Sequence, residues 1–253
     1  MSRRRHLNPL LPDGGRGQGE GGDVNATPFT VNGAALTPDP AGALVWPARR
    51  LVVVADLHLE KGSSFAARGK LLPPYDSRAT LTALERVVET HRAEHVVCLG
   101  DSFHDPDAAA RLSDAEVATI RRLTAARRWT WIAGNHDPDP PAALGGESAA
   151  ELTLGPLAFR HQALAAPKAP GEISGHFHPK ATVATRSRRI TARCFVTDGS
   201  RAILPSFGAY TGGLDVLDPA IAGLFRRAFT VHMLGREKIH AMPQGKLVPW
   251  GRG

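Results

Sequence analysis

The sequence Trp129-Thr130-Trp131-Ile132-Ala133-Gly134-Asn135-His136-Asp137 joins an apolar run directly to a polar cluster. Short apolar runs that contain aromatic residues are typical of buried strands. Packing does not require an amide, an imidazole and a carboxylate in succession where such a strand ends. We therefore interpret residues 134–137 as part of a functional site at the carboxyl end of a strand.

Two earlier segments have the same organisation. The β-branched run at residues 51–55 ends at Asp56-Leu57-His58, and the run at residues 95–99 ends at Gly100-Asp101. Apolar spacing predicts a helix over residues 77–93 and another after Ser113, which forms a capping-box pattern with Glu116. Alternating strands and helices predict an α/β fold that binds its ligand where the strands end.

The pattern changes beyond residue 150. Short strands predict a second, more antiparallel sheet packed on the first, at residues 151–154, 157–161, 172–175, 191–197 and 201–205. A last helix is predicted to begin at Pro219 with Asp218 as its cap and to include Leu224 and Phe225. The basic tail from Gly235 supports no assignment.

Composition bounds the domain organisation. We predict a flexible tail at residues 1–27, which are basic and glycine-rich without a hydrophobic period, and a single domain at residues 28–253. The 253 residues are 42% hydrophobic, enough for a substantial core. Neither an apolar run approaching a membrane span nor a secretory signal is visible, which predicts a cytoplasmic protein without membrane contact. Cys98 and Cys194 lie in apolar runs and are predicted to be reduced core thiols.

The net charge is +7, from 31 Lys and Arg against 24 Asp and Glu, and the pI is near 10.0. A basic surface attracts polyanions, of which nucleic acid is the commonest, although charge also serves ordinary solubility. The charge therefore favours a DNA or RNA partner without requiring one.

Several of the polar clusters have the composition of a metal site. Asp56 and His58 are two residues apart, as are His176 and His178, so on a strand each pair would project from one face. A single buried histidine is more often a hydrogen-bonded core residue, but several clusters that each close an apolar run favour metal binding. The candidate donors are Asp56, His58, Asp101, Asn135, His161, His176 and His178.

This donor set suits two ions better than one. Imidazole with carboxylate is typical of sites for Mn²⁺, Fe²⁺ or Zn²⁺. Seven donors exceed the needs of one ion but suit two if a carboxylate bridges them. Two ions about 3.5–4 Å apart clamp the attacking and leaving oxygens of a phosphate. The sequence therefore predicts a two-metal phosphoesterase site.

The ordered series Asp56-x-His58, Gly100-Asp101, Gly134-Asn135-His136-Asp137, His161 and Gly175-His176-x-His178 resembles the calcineurin-like metallophosphoesterase family. The resemblance implies an α/β fold built as a two-sheet sandwich flanked by helices, in four α/β/β/α layers. It also implies hydrolysis of phosphodiesters by metal-activated hydroxide, without a covalent enzyme intermediate.

The same resemblance assigns roles to single residues. It implies Asp56, His58 and His178 on the first metal ion. Asn135, His161 and His176 would bind the second ion, and Asp101 would bridge the two. The catalytic residue would be His136, which contacts the phosphate and assists the leaving oxygen, while Asp137 would orient His136.

A narrower resemblance covers residues 62–69, 72–76, 100–105, 171–180 and 204–213. These stretches are similar to a bacterial subfamily, the ligase-associated DNA-damage-response endonucleases. The similarity implies a DNA endonuclease of DNA repair, with two divalent ions. Manganese is expected first, and zinc or iron are the alternatives. It also implies DNA as the substrate and association with a DNA ligase and a helicase.

Other residues are weaker candidates for substrate contact. Lys61 and Arg68, with Lys70, follow the first donor pair on a predicted rim loop where a DNA backbone could bind, or they are solvated charges. His104 would support Asp101 or approach the substrate. Arg160 should point away from His161 and is not expected to clamp phosphate.

Aromatic residues near the glycine-rich stretch at residues 204–213 are a further possibility. Phe207 and Tyr210 could stack on a base, although packing is the commoner role of such residues.

Two other functions remain open from the sequence. A small-molecule phosphoesterase for cyclic nucleotides or nucleotide sugars would use the same centre, although the basic pI argues against it. An inert scaffold with the same fold would be expected to have lost donors, and here all seven are present together with His136.

Overall fold

The computed structural model describes residues 27–70, 73, 75–166 and 171–250. The predicted tail at residues 1–27 lies outside these ranges except for Thr27.

The first sheet follows the order of the chain. Within the described residues its strands are β1 (Phe29–Val31), β2 (Ala34–Pro38), β3 (Leu44–Trp46), β4 (Leu51–Val54), β5 (His95–Leu99), β6 (Arg128–Ile132) and β7 (Glu147–Ala149). The first four strands pair antiparallel, and β4 to β7 pair parallel. The carboxyl ends of β4, β5 and β6 therefore lie side by side at one edge.

The second sheet is mixed. Its strands are β8 (Glu151–Leu154), β9 (Leu157–Arg160), β10 (Glu172–Ser174), β11 (Pro179–Ala184), β12 (Arg189–Thr197), β13 (Arg201–Ile203), β14 (Leu214–Asp215), β15 (Thr230–Leu234) and β16 (Ile239–Pro243). The order is β14-β11-β12-β13-β10-β9-β8, and the hairpin β15–β16 pairs with β12. Strands β9, β10 and β13 are parallel neighbours, and the pairs of β12 with β11, β13 and β15 are antiparallel.

The α-helices within the described residues are α1 (Lys61–Ala67), α2 (Asp76–Thr90), α3 (Ala108–Arg111), α4 (Asp114–Ala125) and α5 (Pro219–Ala222). Leu81, Leu84 and Val88 form the buried stripe of α2, as the spacing predicts. Ser113 caps α4, and its side chain and that of Glu116 bond each other's backbone amides, so the predicted capping box is confirmed.

Alternate residues of the central strands enter two different cores. In β4, Val52 and Val54 pack with α2 and α4, whereas Leu51 and Val53 pack between the two sheets. A third apolar cluster, which contains Cys194, Val231 and Met233, covers the other face of the second sheet. The sandwich of two mixed sheets flanked by helices is therefore confirmed. Among the described residues, the outer layer on the second sheet is thin, since it consists of the four-residue α5, its flanking loops and the segment around Leu247.

Several local expectations are wrong. The predicted rim loop after His58 contains the helix α1. The last helix ends at Ala222, before Leu224 and Phe225, with Gly223 at its C-cap. The strands β11, β15 and β16 were not predicted. The first two pair with β12, and β16 pairs with β15.

Both cysteines are free and buried, as predicted. Among the described residues, no helix combines the length and the apolar character that crossing a membrane would need.

Candidate metal centre

The predicted donors converge at the edge where the parallel strands of both sheets end. Asp56 and His58 follow β4, Asp101 follows β5, His161 follows β9, and the loop after β10 carries His176 and His178. The loops bind one another, because the amides of His58 and Leu59 donate to the carbonyls of Asp101 and Ser102, each at 2.9 Å. The two sheets meet at Asp56, whose Oδ2 accepts from the amide of His176 at 2.9 Å.

The geometry within each donor pair differs from the prediction. Asp56 and His58 lie beyond the end of β4 and have left-handed backbones, with φ of 54° and 44°. His176 and His178 are also left-handed, with φ of 71° and 47°, as is Asp101 with φ of 47°. Strand alternation therefore does not explain the two-residue spacing. Left-handed backbone costs non-glycine residues roughly 1–3 kcal/mol each, so its concentration in these loops indicates a functional site.

One donor group contains Asp56, His58 and His178. The Nε2 atoms of His58 and His178 are 3.3 Å apart, and Nε2 of His178 is 3.4 Å from Oδ1 of Asp56. Burial, and then the neighbouring His178, lower the pKa of His58 to about 2. His58 is therefore neutral, which is the form of imidazole that binds a metal ion.

A second group contains Asp101, His161 and His176. Nε2 of His161 lies 3.0 Å from Nδ1 of His176, 3.5 Å from Oδ1 of Asp101 and 2.9 Å from Oδ1 of Asn135. Nδ1 of His161 donates to the carbonyl of Leu99 at 2.8 Å, which leaves Nε2 free to bind an ion. Burial, and then His161, lower the pKa of His176.

These residues fit two divalent ions. Two nitrogens that are each about 2.1 Å from one ion lie about 3 Å apart when the angle between the bonds is near 90°. The facing ring nitrogens of both groups have this spacing. Asp101 lies against both groups, since its Oδ2 is 4.0 Å from Nε2 of His58 and its Oδ1 faces His161. This is the position that a bridging carboxylate would take.

His136 lies beside these two groups and forms a third cluster with His58 and His104, in which the ring nitrogens lie within 4.8 Å of one another. Its Nδ1 donates to the carbonyl of His104 at 2.8 Å, and its Nε2 is 3.9 Å from Oδ2 of Asp101. The His136 side chain is 41% exposed, so a substrate can reach it.

The expectation that Asp137 orients His136 is wrong. One carboxylate oxygen of Asp137 accepts from the amides of Ser102 and Phe103, at 2.8 and 3.2 Å. The other oxygen is buried and has no hydrogen-bond partner among the described residues. Burial raises the pKa of Asp137 to about 7, against the effect of these amides. Asp137 therefore holds the loop that carries Asp101, and the carbonyl of His104 orients the His136 ring.

His104 packs on two other histidines of the centre. Its ring stacks on that of His136, with centroids 5.4 Å apart, and its Nδ1 is 3.4 Å from Nδ1 of His58. Lys61 begins α1 and Arg68 follows its end. Phe65 of this helix lies 5.8 Å from the His104 ring, which places α1 at the border of the centre.

The remaining candidates are structural or peripheral. Arg160 pairs with Glu151 and Glu172 and does not point toward the donors, as predicted. Phe207 is buried in the core between the first sheet and its helices, which excludes base stacking. Tyr210 is 46% exposed.

Sequence reasoning missed two residues that shape the centre. A Cβ on Gly175 would lie 2.6 Å from Oδ2 of Asp56, so only glycine fits there. The hydroxyl of Ser206 donates to the carbonyl of Asp56 at 3.0 Å. Glycine directly before a donor was a visible signal for Gly175, whereas nothing local to Ser206 indicates its contact 150 residues away.

Comparison with known proteins agrees with this geometry. The crystal structure of Pseudomonas putida nuclease MPE is similar, with a TM-score of 0.68 and 32% identity over 85% of this chain and 100% of that one. The phosphoesterase Yfce from E. coli gives a TM-score of 0.38 and 16% identity over 76% of this chain and 97% of that one, too weak a likeness to add to the argument. No curated protein sequence matches significantly. The sequence model of the calcineurin-like phosphoesterases matches residues 49–184, more than half of the chain. The chain therefore belongs to the calcineurin-like phosphoesterase family, whose members are metal-dependent hydrolases.

Proposed function

We propose that this protein is a two-metal phosphodiesterase that cleaves DNA internally, as an endonuclease of bacterial DNA repair. The observation that carries the proposal is the pair of donor groups with Asp101 between them. The nuclease assignment is supported by 32% identity to a P. putida nuclease across most of both chains. The net charge of +7 also favours a polyanionic substrate.

In this proposal Asp56, His58 and His178 would hold one ion, and Asn135, His161 and His176 would hold the other. Asp101, which lies between the two groups, would be shared by both. When bound, the ions lower the pKa of a water molecule and neutralise charge on the phosphate. We propose Mn²⁺ as the native metal, since mixed nitrogen and oxygen donors suit it, and Zn²⁺ or Fe²⁺ would use the same donors.

The protein's own contribution to the chemistry is centred on His136. Because Nδ1 donates to the carbonyl of His104, Nε2 is left unbonded to the described residues, on a partly exposed side chain, 3.9 Å from Oδ2 of Asp101. In the protonated ring, Nε2 donates a hydrogen bond to a phosphate oxygen and can transfer its proton to the leaving oxygen. Stacking on His104 keeps the ring in this orientation.

DNA would meet basic residues at the border of the centre. Lys61 and Arg68 lie on and after α1, which contacts His104 through Phe65. Arginine and lysine at such a border bind the phosphate backbone without reading the base sequence.

The proposed setting is the bacterial cytoplasm, in association with a DNA ligase and a helicase. The support is the resemblance of five stretches of the chain to the ligase-associated endonucleases. A nuclease that leaves a break suits such partners, because a helicase exposes single strands and a ligase seals breaks.

A panel of metals against substrates tests the proposal. Purified protein, stripped of metal, is assayed with Mn²⁺, Zn²⁺, Fe²⁺ or Mg²⁺ on a generic phosphodiester, a phosphomonoester, a cyclic nucleotide and circular single-stranded DNA. We expect the circle to be cut, because it has no ends for an exonuclease, and the diester to be hydrolysed. Turnover of the cyclic nucleotide or the monoester, with the circle intact, would instead identify a small-molecule phosphoesterase.

A further inference from the structure

The hairpin formed by β11 and β12 has an unusual charge. Five cations and no acidic residue occur between His176 and Thr197, namely Lys180, Arg186, Arg188, Arg189 and Arg193. The candidate metal centre does not use any of them.

Register places this hairpin beyond the edge at which the donors lie. Ser174, the last residue of β10, is level with Ile203 and hence with Val196 of β12. The strand β12 extends seven residues further, to Arg189, which corresponds to about 23 Å at 3.3 Å per residue. Since His178 directly precedes β11, the hairpin rises from the loop that carries the donors, and its turn lies about 23 Å beyond the level of Ser174.

The two faces of the hairpin differ in character. Residues directly opposite on paired strands share a face. One face contains Ala181, Val183 and Cys194 and packs in the third apolar cluster. The opposite face is polar and basic, with the pairs Lys180–Arg193, Thr182–Thr191 and Ala184–Arg189. It continues the face on which Phe195 packs between the two sheets. The anchored apolar face therefore directs the polar face toward the side on which the first sheet lies.

The turn itself is held in place and is exposed. The amide and hydroxyl of Thr185 both donate to the carbonyl of Arg188 at 2.8 Å. Residues 184–191 are exposed. The side chains of Arg186, Arg188 and Arg189 form no ion pair with any residue that the structure describes.

A neighbouring turn adds to the same charge. Because Met233 pairs with Cys194, β15 runs toward the same end of the sheet as the hairpin turn. The turn between β15 and β16 carries Arg236 and Lys238 against one acid, Glu237.

We propose that the β11–β12 hairpin binds the phosphate backbone of the DNA strand whose scissile bond lies at the metal centre. The inference rests on the proposed function and specifies how that site holds a long substrate. Exposed arginines without acidic partners attract phosphates and bind them through the planar guanidinium. A small diester at the metal centre cannot reach the turn, so the hairpin should act only on polynucleotides.

The test replaces the three exposed arginines together, as Arg186→Gln, Arg188→Gln and Arg189→Gln. Binding of a labelled single-stranded 20-mer to metal-free protein is measured by fluorescence anisotropy from 50 to 200 mM salt. Hydrolysis of bis(p-nitrophenyl) phosphate is measured with metal. For a single strand, each phosphate contact adds about 0.7 to the steepness with which log K falls as log[salt] rises. Loss of three contacts should therefore reduce the steepness of this line by about 2. Wild-type affinity should therefore drop about twenty-fold more than that of the variant over this salt range.

Two further variants separate a local effect from total charge. Arg86→Gln with Arg226→Gln and Arg227→Gln removes three exposed charges elsewhere and should leave the slope near that of the wild type. The variant with Arg186→Lys, Arg188→Lys and Arg189→Lys keeps the charge and should retain most of the salt dependence.

The outcomes distinguish this inference from the proposed function. Three results would overturn the hairpin inference alone. The salt dependence of DNA binding could be unchanged in the hairpin variant, or it could fall by the same amount in the control variant. The hairpin variant could also lose as much activity on the small diester as it loses affinity for DNA. Wild-type protein that hydrolyses the small diester but neither binds nor cuts DNA would overturn the DNA assignment together with it.

Discussion

His136 and Asp137 are adjacent in the chain, but their side chains contact different parts of the centre. His136 is fixed at Nδ1 by the carbonyl of His104, and its Nε2 lies 3.9 Å from Oδ2 of Asp101. Asp137 is turned away, and it binds the amides of Ser102 and Phe103. Replacing each residue should therefore produce a different defect.

We expect His136→Ala to retain both metal ions and to slow phosphodiester hydrolysis by about 10²–10⁴-fold, because the variant lacks only a hydrogen bond and a proton transfer to the substrate. Metal content by mass spectrometry and kcat on the generic diester check this. His240→Ala, at an exposed position on β16, is the matched control and should change neither quantity. Loss of metal from the His136 variant would show that His136 is a ligand.

Asp137→Ala should act on stability and metal content together. The change leaves two buried amides without an acceptor, at a cost of about 1–3 kcal/mol, and releases the loop that carries Asp101. Urea unfolding of the metal-free protein and metal analysis of the loaded protein measure the two effects. Asp139→Ala, an exposed neighbour, should be neutral. Full stability with slow catalysis would instead indicate that Asp137 orients His136.

At the scale of elements, the loops that end the strands are packed too closely to accept larger residues. Gly175 lies between β10 and the first donor of the same loop, and a Cβ there would be 2.6 Å from Oδ2 of Asp56 and 2.7 Å from Cβ of Ala55. Both neighbours are fully buried and cannot move away.

Gly175→Ala should therefore displace the loop that carries His176 and His178 and reduce metal binding, measured by titration with Mn²⁺. Gly212→Ala provides the comparison, because a Cβ there meets nothing within 4 Å. Equal metal affinity in the two variants would mean that the loop tolerates the added carbon.

The helix α4 depends on its cap. Ser113→Ala removes the acceptor for the amide of Glu116 and should lower the free energy of unfolding by about 1 kcal/mol. Ser113→Asp keeps an acceptor at this position and should unfold near the wild-type urea concentration. The cap would be unimportant if both variants unfolded at the same urea concentration.

At the scale of the whole molecule, the layers place the two cysteines in different cores. Cys98 packs between the first sheet and its helices, and Cys194 lies on the outer face of the second sheet. Both are fully buried, and burial raises the pKa of each thiol. The thiolate is the reactive form, so both thiols should be inert in the native protein.

A thiol titration with a disulfide reagent at pH 8 should therefore find no reactive cysteine in the native protein and two per chain in denaturant. Rapid reaction of one thiol in the native state would show that one of the two cores opens. If a buried thiol reacts slowly with the reagent, the rate of that reaction would report how often the surrounding core opens.

The sequence alone determined the strands β4, β5 and β6, the helices α2 and α4, and the places where polar residues end the apolar runs. These features are local, because a hydrophobic period or a capping box is contained within a few residues. The candidate donors were found for the same reason, since each one closes a recognisable apolar run.

Only the tertiary structure decided how those donors are held. The left-handed backbone at Asp56 and His176 is one such feature. The hydrogen bonds of Asp137, the bond between His176 and Asp56 and the contact of Ser206 join residues 34 to 150 positions apart in the chain. The position of the β11–β12 hairpin likewise depends on its register with β13 and β10. Such contacts form only when the two sheets pack, and for that reason no local pattern of residues predicts them.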